Sequence, residues 1–384
     1  MQSPAAFIRG VKHPEAFHGQ GKTTNFFEGW YIKIVSAVKS QRWAVIPGIF
    51  RGLKTGDGSS SDQAFVQVLD GQTGRSWFHE FAVEDFKANT KSFDVTVGEN
   101  HFSSRGVTLN LPQLKGELTY SSEVDPWPVT FASPGIMGWY GLVPFMECFH
   151  GIVSFGHSLE GRLDIEGTEH DFAGGRGYIE KDWGQNFPAG YVWLQSNHFE
   201  AEPEASLVAS VAIIPWLRSA FRGFIIGFKH HGKLHKWTTY NKTVEQQLTI
   251  DDSHIRWSLS GPDGVLEIRA ERASGGLLHA PLRTEMQKRV EETMLAKIGL
   301  SSAGGTKSLF CASVSNTNPN SPACARYSPV RTETPEVAPS SLENSATSNA
   351  LQTVGTTRSS KTIAQCSVTS RQSSINPMLK KNSP

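Results

Sequence analysis

From Asn25 to about Ile298 the chain repeats one pattern: apolar and aromatic runs of five to nine residues, each closed by Gly, Asp, Asn or Pro. Runs that short suit strands better than helices. Seventeen of them fall between Trp30 and Arg272, with hairpin turns legible at Asp70-Gly71, His231-Gly232 and Pro262-Asp263-Gly264. The expected fold class is therefore all-β. So many short strands predict two small barrels or sandwiches rather than one. The 22 Phe, 10 Trp and 7 Tyr, with 36 Gly and only 19% charged residues, agree with a strand-rich and turn-rich chain.

The pattern divides the chain. Residues 1–24 read as an N-terminal arm, 25–124 as a first barrel half, 125–150 as a connecting segment, and 151–298 as a second barrel half. The Pro- and Gly-dense stretch Asp125 to Pro144 breaks the strand rhythm, and so is expected to line a mouth or join the halves. The second half is expected to end in a helix: Thr284 and Gln287 are placed as a capping box, and Met286, Val290, Met294 and Ile298 recur every four residues. Residues 299–314 are weakly patterned. Residues 315–384 turn to Ser, Thr, Asn and Pro with a single aromatic, Tyr327, too little apolar surface to offset chain entropy, so a disordered tail is expected.

Several function classes fall away on composition. A formal charge of +1 gives a phosphate backbone nothing to hold, so no nucleic-acid partner is expected. No apolar run reaches membrane-spanning length, and no transmembrane segment is expected. Cys148, Cys311, Cys324 and Cys366 lack paired spacing, which argues against zinc, redox and disulfide frameworks and for a reducing compartment. Met1 to Lys22 does not read as a leader or transit segment, which predicts a cytoplasmic protein.

Three motifs have ordinary explanations. Gly19-Gln20-Gly21-Lys22-Thr23 resembles the end of a phosphate loop but lacks the first Gly and the strand–helix context. Gly156-His157-Ser158-Leu159-Glu160 is one Gly short of a nucleophile elbow. His230, His231 and His235 straddle a hairpin and offer metal ligands, although turn histidines are common without a metal, and none is expected.

The densest chemistry lies between Gly174 and Phe199. Strand alternation puts Tyr178, Glu180 and Asp182 on one face and Ile179, Lys181 and Trp183 on the other. On the next run Tyr191, Trp193, Gln195 and Asn197 share a face. Two acids and a phenol would then look into one cavity with aromatic walls; the plainer reading is a solvated Lys181-Asp182 turn beside core tryptophans. Near the N-terminus, Glu28 shares a face with Phe26 and Trp30, where burial would raise its pKa and make it a general acid, unless it pairs with a base such as Arg51. Glu147 and His150 are placed either as a proton relay or as partners for strand-end backbone groups.

Phe27-Glu28-Gly29-Trp30-Tyr31, Pro134 to Tyr140, Pro144 to Gly151, Gly177 to Gly184, Phe187-Pro188 and Trp193 to Asn197 together resemble the tocopherol cyclase family, in family order, over residues 24 to 298. The resemblance implies a lipocalin-like two-barrel architecture with further strands after Ile298. It also implies closure of a prenylated quinol into a chromanol ring, and in plants a plastid, lipid-body setting. In the mechanism so implied, an acid protonates the first double bond of the prenyl chain and the phenol oxygen captures the cation, with no cofactor. Asp182 or Glu180 would donate the proton, with Glu28 as the rival. Trp30, Tyr178, Trp183 and Trp193 would shield the cation, a contribution of about 1 to 2 kcal/mol each when desolvated. Gln195 and Asn197 would hold the quinol head, with Glu147 and His150 nearby. A non-catalytic isoprenoid or lipid carrier and a hydratase, in which water captures the same cation, are the alternatives.

Overall fold

The computed structural model describes residues 4–131, 133–302, 305–307 and 312–317. A short helix, α1 (Pro4–Lys12), opens the chain. Twelve strands follow in the first sheet: β1 (Phe26–Val35), β2 (Arg42–Arg51), β3 (Gln63–Asp70), β4 (Ser76–Phe81), β5 (Phe86–Ala88), β6 (Asp94–Val97), β7 (Asn100–Ser103), β8 (Gly106–Leu111), β9 (Leu114–Tyr120), β10 (Cys148–Ile165), β11 (Thr168–Asp171) and β12 (Gly175–Gly184). The second sheet holds β13 (Tyr191–Ser196), β14 (Ser206–Trp216), β15 (Ser219–His230), β16 (Lys233–Thr238), β17 (Val244–Ile250), β18 (His254–Gly261), β19 (Gly264–Glu271), β20 (Gly276–Pro281), β21 (Met286–Ser302), β22 (Gly305–Lys307) and β23 (Ala312–Thr317). The all-β, two-barrel, lipocalin-like class read from the sequence is the one observed.

The first sheet runs β4-β3-β2-β1-β12-β10-β9-β8-β7-β6-β5, with β11 paired to β10. The barrel halves expected at 25–124 and 151–298 therefore need correcting, because β10 and β12 lie in the middle of the first sheet. The chain crosses to the second sheet only after Gly184. That glycine has φ +152, and a Cβ there would lie 2.2 Å from the Glu147 carbonyl, so no other residue fits without displacing β10. The segment 125–150 does not join two halves. It loops out from the first sheet between β9 and β10, makes one 3-10 turn at Gly138–Leu142, and lays Met137, Tyr140 and Met146 over the cavity described below.

The expected C-terminal helix is also corrected: Met286–Ser302 is strand β21, paired with β20, β23, β22 and β19. A repeat of four is even, so Met286, Val290, Met294 and Ile298 fall on one side of a strand as readily as on one face of a helix. Val290 and Met294 pack in the layer between the sheets. Beyond the irregularity between Thr293 and Ala296, the residues Ala296, Ile298 and Leu300 fill the second sheet's own core. The weakly patterned 299–314 contributes the end of β21, β22 and the start of β23, and β23 extends into the first residues assigned to the tail. The rest of the expected disordered tail lies outside the described residues. Among those described, no helix is long and apolar enough to cross a membrane.

Alternation along β1 and β12 separates two environments. One face of β1 (Trp30, Ile32 and Ile34) enters the core of the first barrel with Ile179. The other (Tyr31 and Val35) faces the second sheet with Tyr178. At the barrel end, the arm that follows α1 folds over a buried charge pair. Glu28 and Lys181, both with fully buried side chains, form a salt bridge. The His18 backbone N–H donates to both Glu28 oxygens at 3.0 Å, and Lys181 also donates to the Ala16 carbonyl. His18 Nε2 donates to the Gly10 carbonyl at 2.9 Å, so in the neutral ring Nδ1 is left to accept from Lys181 at 2.9 Å. Burial, with Lys181 beside it, lowers the His18 pKa and favours that neutral form.

Removing one member of a buried pair leaves the other uncompensated. Lys181→Met should cost about 3–5 kcal/mol in urea unfolding, and adding Glu28→Gln should restore most of the loss. A double variant no more stable than K181M would mean that the pair contributes through packing rather than charge.

Candidate active site

Three neighbouring strands build the site. In register, β12 sets Glu180 beside Tyr31 of β1 and Ile152 of β10, and Asp182 beside Gly29 and His150. Because alternate residues of a strand point the same way, Tyr178, Glu180 and Asp182 share the face that looks toward the second sheet. There a cavity of about 220 Å³ opens between the sheets. Its walls are mainly apolar, with Phe27, Ile46 and Phe65 from the first sheet and Ile214, Phe221 and Ile225 from the second. The acids that line it are Glu180, Asp182 and Glu292.

Glu180 is the focus of this wall. The Tyr178 hydroxyl donates to its Oε2 at 2.6 Å and the Trp193 indole N–H to the same oxygen at 3.0 Å. Oε1 is left as the oxygen that carries a proton. Burial raises the Glu180 pKa, His150 works against that, Asp182 adds to it, and the outcome is about 7. His150 Nδ1 lies 2.8 Å from Asp182 Oδ1, and its Nε2 is 3.7 Å from Glu180 Oε2. Burial opposes charge on this ring, but the two carboxylates and the Asp182 hydrogen bond outweigh it and push His150 up to about 9. The site therefore pairs a neutral or half-protonated acid with an imidazolium held by a carboxylate.

Opposite stands Glu292 from β21, which accepts a hydrogen bond from the Tyr31 hydroxyl. Burial raises its pKa to about 8, against the pull of the Tyr31 bond and of Lys33. Neither residue was assigned a role from the sequence. Tyr31 had a signal, since alternation puts it opposite Trp30 and so toward the second sheet. Glu292 had none while its segment was taken as helix.

The remaining expectations divide. Glu180, Asp182, His150 and Trp193 line the cavity, and Tyr178 stands behind Glu180. Glu28 does not line it. Burial alone would raise the Glu28 pKa, but Lys181 and His18 outweigh burial and lower it, so Glu28 is a structural carboxylate; the predicted pairing with a base holds, with Lys181 in place of Arg51. Trp30 lies in the first barrel's core, with Lys181 Nζ 4.4 Å from its ring centre. Trp183 is stacked between His18 and Phe149, with ring centres at 4.2 and 5.6 Å, on the far side of the sheet from the cavity. Gln195 accepts from Lys33, and Asn197 donates to the Gly177 carbonyl at 2.8 Å, so neither reaches the cavity. Glu147 accepts from Arg283 at the crossing between sheets. The Gly156–Glu160 motif lies within β10, and Gly19–Thr23 leads into strand β1 rather than a helix.

Two groups have metal-ligand spacing among the described residues: His150, Glu180 and Asp182, and Glu202, His230 and His231. In the first, the His150 imidazolium supplies the positive charge that two carboxylates require, and Tyr178 and Trp193 already direct hydrogens at Glu180. In the second, Glu202 lies 3.1 Å from His230 and 3.8 Å from His231, while His235 pairs with Asp263 instead.

A family model described as tocopherol cyclase-like matches residues 104–318, more than half of the chain. The chain belongs to the tocopherol cyclase-like family. Its relatives include the probable chloroplastic tocopherol cyclase of Oryza sativa subsp. japonica, 25% identical over 334 residues, covering 73% of this chain and 70% of that one. The chloroplastic tocopherol cyclase of Zea mays is 23% identical over 337 residues with the same coverage. Among solved structures, CghA superposes with a TM-score of 0.50 at 10% identity, covering 76% of this chain and 88% of that one, a likeness of fold. As a member of this family, the chain holds between its sheets a cavity whose acids come from both of them.

Glu292 gives a signed pH test. Its pKa is about 8 when folded and 4.5 for a free side chain, so between those values the folded state holds the extra proton and stability falls as pH rises. Glu292→Gln cannot ionise. Relative to the wild type it should gain on the order of a few kcal/mol in urea unfolding between about pH 5 and pH 8. A difference that stays constant with pH would show that Glu292 ionises at ordinary acidity.

Proposed function

We propose that this protein closes a prenylated quinol into a chromanol ring, with Glu180 as the proton donor. The observation that carries this reading is a carboxyl group with pKa about 7 facing an apolar cavity, with both protein donors directed at Oε2. Asp182, the other acid expected for this role, is engaged by His150 and acts through it. Glu180 gives its proton to the less substituted carbon of the first prenyl double bond, leaving a tertiary cation. The phenol oxygen forms the new C–O bond, and the proton it releases returns to the Glu180 carboxylate. No electrons are exchanged, and substrate and product have equal mass. Trp193 and Tyr31, with ring centres 5.3 Å apart, present aromatic surface to the cation, while the apolar walls keep water from capturing it.

Incubation with a prenylated hydroquinone, followed by mass analysis, tests the reaction. Ring closure yields an isomer of equal mass; a hydratase would add one water, and a carrier would return the substrate unchanged. In heavy water the chromanol should carry one non-exchangeable deuterium on the ring methylene next to the new quaternary carbon. A product without it, or one that forms only with an oxidant, would rule out acid catalysis. Glu180→Gln should lower turnover by roughly 10² to 10⁴ with ligand affinity nearly intact. Because the donor must be protonated, wild-type turnover should fall as pH rises through about 7. A rate that is flat across that range would move the proton to another group.

A further inference from the structure

The segment laid over the cavity carries its aromatic character out to the surface. Tyr140 and Phe221 line the cavity, with ring centres 5.7 Å apart. Trp216 stands edge-on to both, at 5.8 Å from each. Phe145 lies edge-on to Trp216 at 5.1 Å, and Trp139 stacks on Tyr140 at 3.9 Å. Yet Trp139 and Phe145 are 48% and 51% exposed, and Leu142, between them in sequence, is exposed as well. A lone apolar residue at the surface needs no explanation, whereas a group built on one aromatic cluster marks a place of contact. The hairpin beside it points the same way. Trp216 of β14 pairs with Ser219 of β15, so only Leu217 and Arg218 join the two strands. Leu217 has φ +53 and is 82% exposed. Hairpin turns take Asn, Asp or Gly at such a position, because a bulky side chain is strained there. A leucine in that place serves neither the turn nor the core.

We propose that Trp139, Leu142, Phe145 and Leu217, flanked by Arg218, dock the protein on an anionic lipid surface. The charge of the elements that form the patch has one sign. Residues 126–146 contain no charged side chain, and 205–221 contain only Arg218. The helix α1, which packs on the 3-10 turn with Val11 beside Gly141, holds no acid and ends on Lys12. The flanking acids Glu15 and Glu147 are paired, with His13 and Arg283. Aromatic rings suit the boundary between headgroups and acyl chains, Leu217 enters the apolar layer from the hairpin tip, and Arg218 meets the headgroup phosphates. A protein interface is rimmed by polar groups that bond across it, whereas 126–146 offers a protein partner no charged group at all. Docked in this way, the covering segment lies in the lipid boundary, and an apolar ligand reaches the cavity without crossing water. The inference does not depend on the reaction proposed above.

The test is co-flotation of the full chain with vesicles of phosphatidylcholine, with and without phosphatidylglycerol. The wild type should float with the anionic vesicles and bind the neutral ones about fivefold or more weakly. Leu217→Asn is the decisive variant, because asparagine suits the turn better than leucine does. It should leave the urea midpoint unchanged or raise it, while weakening vesicle binding about fivefold or more. Arg218→Gln should weaken binding about fivefold on anionic vesicles, as one charge near the surface predicts, and leave the neutral ones unchanged. Trp139→Ala combined with Phe145→Ala should abolish flotation; should that pair fail to fold, Leu217→Asn still reports. The inference is overturned if the wild type floats with neither vesicle, if Leu217→Asn binds as tightly as the wild type, or if its binding falls only in step with a loss of stability. It is also overturned if the wild type self-associates in solution and Leu217→Asn restores the monomer, which would make the patch a contact between copies. No quinol is present, so docking and turnover fail separately. A chain that floats but returns a prenylated hydroquinone unchanged loses only the proposed reaction, and one that closes the ring without floating loses only the docking surface.

Discussion

The site depends on a charge pair that never touches it. Glu28 on β1 and Lys181 on β12 meet inside the first barrel, fully buried, with His18 and the backbone of the N-terminal arm completing their hydrogen bonds. A buried pair of this kind is weak evidence for stability but strong evidence for register, because a slip of either strand would separate the charges in a medium that cannot solvate them. The same register sets Tyr31 beside Glu180 and Gly29 beside Asp182 on the reverse face. The interior of the barrel thereby determines the geometry of the cavity outside it.

Two glutamates on these paired strands show how environment sets acidity. Glu28 is wholly buried, yet its pKa falls because Lys181 and His18 together outweigh the desolvation. Glu180 is also buried, but its cationic neighbour His150 is shared with Asp182, and its pKa rises to about 7. Burial is common to both, so the sign of the shift follows from how much positive charge each carboxylate has to itself.

What the sequence made legible was parity. Alternation placed Tyr178, Glu180 and Asp182 on one face and Lys181 on the other, and brought Trp193 to the same layer. What it hid was anything requiring a distant partner. No local pattern says that Lys181 will neutralise Glu28, or that Trp183 will stack on His18, since those contacts depend on how the arm folds back. The segment around Glu292 was hidden for a different reason: a four-residue repeat is compatible with both helix and strand, and only pairing with β19, β20 and β23 decides between them. Gln195 and Asn197 share the parity of Trp193 and still miss the cavity, because parity assigns a side of the sheet and not a depth along it.

The late position of β21 in the chain has a consequence for biogenesis. The wall bearing Glu292 is the last part of the cavity to leave the ribosome, long after β12 has been made, and pairings this distant in sequence are slow to form. In the unfolded chain the Glu180 side chain is open to water and is ionised at neutral pH like any glutamate. The raised pKa of Glu180 is therefore not a property of the nascent chain. It arises only when folding buries the carboxyl and brings Asp182 close to it.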